Sequence, residues 1–125
     1  MSEEQNKTAT VVFGASPNPA RYSHRAVEML VEYGYDVLPL GFRKGSIEGK
    51  DIILDHENFE NVDTVTMYMN AHRQEQFLDY ILSLHPRRII FNPGAENPKL
   101  ETLAHEQGIE TLNACTLVLL RIGSY

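Results

Sequence analysis

Apolar positions along the chain fall into short runs separated by amphipathic stretches. Residues 9–13 read Ala-Thr-Val-Val-Phe and stop at Gly14. A run so short and continuous predicts a strand buried on both faces. Residues 22–33 carry helical spacing: Ala26, Met29, Leu30 and Tyr33 share one face, and Arg25, Glu28 and Glu32 another. Gly34 is then free to take the positive φ of a helix-ending residue. Residues 36–40 predict a second strand. The stretch 41–62 is rich in Gly, Asp, Asn and Glu and predicts a loop with one short strand at 51–54. A third strand is predicted over 64–69. A helix follows over 71–84, where Phe77, Leu78, Ile81 and Leu82 oppose Glu75, Asp79 and Ser83. Beyond Pro86, residues 88–91 predict the fourth strand. Asn97 and Pro98 supply an N-cap and a first-turn proline for a helix running to Gln107, and Gly108 stops it. Residues 109–112 predict the fifth strand, and the apolar tail a short helix from Thr116.

Strand and helix therefore alternate. Parallel strands need such crossovers, and right-handed ones stack helices on both faces of the sheet. The expected fold is α/β: a Rossmann-like, doubly wound, open parallel sheet of five main strands in the order 3-2-1-4-5. Residues 1–8 are expected as a flexible arm and 9–125 as a single domain. In such sheets ligands bind beyond the carboxyl ends of the strands, where the order reverses. The expected order puts that reversal between the first and fourth strands, with loops 14–23 and 92–97 at the crevice.

Composition narrows the classes. A length of 125 residues fits one domain, large enough to need no disulfide or metal to hold it. A net charge of −6 argues against a broad nucleic-acid or membrane-binding surface, while leaving room for a local basic cluster. One cysteine allows no internal disulfide and fits a reducing, cytoplasmic setting. No run approaches the ~20 apolar residues of a membrane span. The acidic, polar start is unlike a signal peptide.

The first loop carries candidate chemistry. Gly14, Ala15 and Ser16 leave little side-chain bulk, so an incoming group can approach the backbone. The N–H groups of a helix start favour an anion. Ser16 and Ser23 add hydroxyl donors, and Arg21 a fork suited to phosphate oxygens. The same residues also suit an ordinary strand-to-helix turn. Neither G-x-G-x-x-G nor G-x-x-x-x-G-K-[ST] is present. An NAD site usually places an acid near the end of the second strand. Here that strand runs into Gly41, Phe42, Arg43 and Lys44, which suits a phosphate on the ribose, as in coenzyme A or NADP, or a solvated basic pair. Phe42 could pack on adenine, near Met69 and Asn70. In the second loop Asn92 could bond a ligand, and Gly94 would let the backbone come close.

Taken together, GASPNPARYS, LVEYGYDVLPL, IEGKDI, VDTVTMYM and FNPGAEN, followed by QGIE and the Cys115 segment, resemble the CoA-binding domain family. This is the Rossmann-like module also found in the α subunit of succinyl-CoA synthetase, and its stand-alone bacterial members are small single domains. The resemblance covers residues 10–120. It implies coenzyme A or an acyl-CoA bound at the strand ends. Gly14, Ala15, Ser16 and Pro17, with neighbouring Asn18, match the first phosphate loop. Arg21, Tyr22 and Ser23 match its exit, and Asn92, Pro93, Gly94 and Ala95 the second crevice loop. Relatives commonly have Asn-Pro where this chain has Gly41-Phe42, and many carry a bulkier, glutamine-containing second loop.

Nothing singles out a reaction. The synthetase relative needs a further domain with a phosphorylated histidine, and the chain leaves no room for one, so the resemblance implies a binding module and not a ligase. The five histidines form no H-x-x-x-H or H-E-x-x-H pair. His24 is expected in solvent, His72 at a surface helix start, and His56, His85 and His105 in polar company. Cys115 reads either as a small buried hydrophobe or as a thiol able to exchange with that of coenzyme A. Glu96 is the one acid inside a crevice loop. The reading is a small-molecule nucleotide binder acting as sensor or carrier, without nucleic acid, membrane or metal, and able to pair as a homodimer. An NADP-dependent enzyme, a nucleotide-binding redox sensor, or an interaction subunit with an empty crevice stay open beside it.

Overall fold

The computed structural model describes residues 7–125. The expected arm over residues 1–8 lies mostly outside them. Thr8 and Ala9 both donate their N–H groups to the Asn61 carbonyl, which ties the start of the domain down.

Five parallel strands form the sheet: β1 (Ala9–Ala15), β2 (Asp36–Gly41), β5 (Val62–Met67), β6 (Arg88–Phe91) and β7 (Glu110–Asn113). Between β2 and β5 lies a small hairpin, β3 (Ser46–Ile47) and β4 (Lys50–Asp51). Its turn passes through positive φ at Glu48 and Gly49, a geometry the sequence pattern did not announce. The expected strand at 51–54 survives in part: Asp51 ends β4, and Ile53 bridges Leu40 in parallel.

The doubly wound, Rossmann-like sheet is present, but its order corrects the expectation. The strands run β2-β1-β5-β6-β7, so the third main strand joins the first and not the second. Pro39 gives the physical reason. A strand proline lacks a ladder donor and belongs on an edge. The Pro39 carbonyl accepts from Ile53 N at 2.7 Å, on the side away from β1. A strand residue's N and O point the same way, so the missing N–H also faces outward and costs β1 nothing. An interior β2 would have needed that donor. The reversal therefore falls between β1 and β5.

Helices cover both faces. Residues alternate along β1: Val12 packs with α1 (Tyr22–Glu32) and α5 (Thr116–Arg121), through Ala26, Val27, Leu30, Leu117 and Leu120. Val11 and Phe13 point to the other side. There they meet α3 (Leu78–Ser83), which follows the short α2 (Ala71–Gln74), and α4 (Pro98–Glu106), where Leu78, Ile81, Leu100 and Ala104 close the core. Each wholly buried Leu or Ile contributes roughly 1.5–3 kcal/mol. Gly34, at φ 87, ends α1 as expected, and Asn97 caps α4 by accepting from Leu100 N.

The predicted helix over 71–84 is broken by a 3₁₀ turn, Glu75–Phe77. Gln74 is fully buried. Its amide donates to the Met69 and Ala95 carbonyls at 2.6 and 2.8 Å and accepts from Asn97. That pins the first turn to two neighbouring loops. Phe77 then leaves helical geometry at φ −115, and α3 starts afresh.

Candidate functional site

The reversal opens a cleft of about 390 Å³ beyond the carboxyl ends of β1, β2 and β5. Its floor is the first loop. Gly14 turns at φ 100 and lies against Met69: a Cβ there would stand 3.0 Å from the Met69 Cγ. Only glycine combines that φ with so close a neighbour. Ser16 Oγ accepts from Asn18 N, and Asn18 Oδ1 from Ala20 N, so the loop folds on its own side chains.

Arg21 is the N-cap of α1, and its side chain caps nothing. His24 and Arg25 donate their N–H groups to the Arg21 carbonyl. The N–H groups of Tyr22 and Ser23 have no partner among the described residues. They form the positive end of an 11-residue helix beside the cleft. Tyr22 is 76% exposed and Ser23 buried, and both line the opening.

Three arginines face this space: Arg21, Arg43 and Arg73. Among the described residues none pairs with a carboxylate. Among the described residues no acidic side chain lines the cleft. A chain of net charge −6 therefore carries a cationic recess where the helix start points.

The structure gathers many of the sequence candidates here: Gly14, Ala15, Ser16 and Pro17 on the floor, Arg21, Tyr22 and Ser23 at the helix start, and Phe42, Arg43, Met69 and Pro93 around the rim. Others stand apart. Asn18 is spent on its own loop, Lys44 is exposed away from the lining, and Asn70 caps α2 by accepting from Arg73 N. Gly41 ends β2 directly against the Ala15 carbonyl.

Of the second loop, Pro93 alone reaches the cleft. Asn92 is buried: its amide donates to Thr66 Oγ1 and the Met67 carbonyl, and its oxygen accepts from Thr116 N. Gly94 N donates to Glu96, which closes that turn on itself, and the buried Ala95 lends its carbonyl to Gln74. This follows from the strand order, because β6 stands one strand away from the reversal.

Two histidine expectations are corrected. His24 is not in solvent but 8% exposed, and its Nδ1 lies 3.0 Å from the Ser16 carbonyl. Because that carbonyl can only accept, Nδ1 carries the proton. The ring thus props the backbone of the first loop from behind. His56 keeps aromatic company and not polar: it stacks on Tyr80 at 4.6 Å and meets Phe77 edge-on. Helical spacing gave no signal for His24, which stands one turn before Glu28 beside the polar face; the loop that folds over it buries it. None existed for His56 either, since its partners come from distant segments.

Tyr68 and Arg73 are cleft residues that the motifs did not mark. The Tyr68 hydroxyl is buried without a partner among the described residues. Burial, with Cys115 nearby, pushes its pKa far above the ordinary phenol value, so it stays neutral. Cys115 is half-buried as the residue preceding α5. Among the described residues no group of three metal-ligating side chains forms. Among the described residues no helix is long and apolar enough to cross a membrane. A larger hollow, about 480 Å³, lies beside β7, but its polar groups are paired internally: His105 with Thr111, and Arg88 with Thr64.

Comparison with known proteins agrees with this architecture. A crystal structure of an uncharacterized protein is 45% identical and superposes with a TM-score of 0.92, covering 94% of this chain and 98% of that one. A Thermus thermophilus protein is 24% identical, with a TM-score of 0.83 over 98% of this chain and 94% of its own. The fold also matches part of a dinucleotide forming acetyl-coenzyme A synthetase from Ca. Korarchaeum cryptofilum, solved with phosphate and ADP. That match has 20% identity and a TM-score of 0.69, and covers 87% of this chain and 26% of the synthetase. No curated protein matches the sequence. The family described as CoA binding domain matches residues 8–121. With nearly the whole sequence inside that match, the chain belongs to the CoA-binding domain family.

Proposed function

We propose that the cleft binds coenzyme A or an acyl-CoA, and that the protein works as a non-catalytic sensor or carrier of that ligand. The observation that carries the reading is the open, cationic recess at the start of α1, with free N–H groups and three arginines unpaired among the described residues. A diphosphate rests on Gly14, Ala15 and Ser16 and on the Tyr22 and Ser23 amides, with Arg21 closing over it. The ribose phosphate meets Arg43, with Lys44 adding charge from outside. The adenine lies by Phe42 and Met69.

Calorimetry with CoA, dephospho-CoA, NAD and NADP tests this. CoA is expected to bind more tightly than dephospho-CoA, and Arg43→Ala to narrow the gap. Arg21→Ala weakens both by about tenfold, through one lost charge-assisted contact. Tight binding of NAD with indifference to CoA would refute the assignment.

A further inference from the structure

One cleft contact is left unused by the phosphate loop. The Arg73 guanidinium carbon stands 5.6 Å from the centre of the Phe42 ring. Phe42 is 46% exposed, although it packs on Phe77 at 5.5 Å and meets His56 edge-on. The arginine thus covers an aromatic surface beside the cleft. Its backbone is fixed, because Arg73 N donates to Asn70 Oδ1 at 2.9 Å and the next residue, Gln74, is anchored inside. Its side chain is exposed, with no carboxylate partner among the described residues. A guanidinium on an exposed ring is held more weakly than one hydrogen-bonded to a phosphate. An entering phosphate can therefore draw it away and uncover the ring for a base.

We propose that Arg73 is a specificity-determining residue of this cleft: it rests on Phe42 in the free protein, yields the ring to the ligand's base, and turns onto the ribose phosphate. The proposal rests on the CoA reading above. It gives the rim two opposite effects. A ligand with a ribose phosphate gains the arginine it displaces. A ligand without one must displace it for no return.

The test is calorimetry of CoA and dephospho-CoA with wild type, Arg73→Ala and Phe42→Leu, with a thermal melt of each. Arg73→Ala is expected to weaken CoA by about tenfold and to leave dephospho-CoA unchanged or tighter by up to about threefold. Phe42→Leu is expected to weaken both ligands alike, since both carry the base. If Arg73→Ala weakens both equally, or neither, the proposal is overturned while the CoA reading stands. If wild type fails to bind CoA at all, the reading beneath it falls first.

Discussion

Replacing Gly41 with alanine should damage the cleft more than any exposed substitution around it. A Cβ at this position would overlap the Ala15 carbonyl oxygen, stand 3.2 Å from the carbonyl carbon and 2.9 Å from Ile52 Cγ2. Comfortable carbon–carbon contact begins near 3.5 Å. The Ala15 atoms are backbone in the adjacent strand and have no rotamer to change. The ends of β1 and β2 must therefore part. Overpacking against a rigid neighbour costs up to about 3 kcal/mol. Losing the cross-strand bond from Gly41 N to the Ile53 carbonyl adds about 1 kcal/mol. Together these approach half of a total near 5–15 kcal/mol, and the melting temperature should fall by up to roughly 15 °C. Urea and thermal unfolding followed by circular dichroism measure this. CoA titration should show a parallel loss, because moving Ala15 moves Ser16 and Pro17. Gly34→Ala is the control: it also lies near a strand end, with nothing within 4 Å of a new Cβ, and suffers only from its φ of 87. Should Gly41→Ala unfold within about 1 kcal/mol of wild type, the steric argument is wrong.

Other expectations are smaller. Tyr68→Phe removes a buried hydroxyl that has no partner among the described residues, so stability should hold or rise by up to about 1 kcal/mol in urea unfolding; a clear loss would mean the hydroxyl is bonded. His24→Ala should cost about 1–2 kcal/mol and weaken CoA, whereas His24→Asn can place a donor near the Ser16 carbonyl and should recover part of both; equal behaviour of the two variants would deny the prop. Burial alone would raise the Asp63 carboxyl, but hydrogen bonds from Arg87 and Thr64 outweigh it and hold its pKa below the usual value. Its contribution is therefore complete above the unfolded value, about 3.9, and lost as pH falls through the lower folded value. Urea midpoints of Asp63→Asn should thus fall less steeply in acid than those of wild type, and parallel curves would argue against the pair.

Much of this protein is written locally. Alternating runs and amphipathic spacings set the strands and helices, Asn97 and Pro98 opened α4, and Gly34 closed α1, because each depends on neighbours a few residues away. The floor of the cleft was legible for the same reason: small residues, an arginine and a helix start are contiguous. Strand order was not, because it records which distant surfaces pack together. Pro39 did carry a hint that β2 lies on an edge, yet a missing donor is informative only once its direction is known. Tertiary packing then decided the rest: it put β5 beside β1, buried Asn92, and brought Arg73 over Phe42 from the far side of the reversal. Periodicity reports which face of an element is apolar, and it is silent on which partner that face will meet.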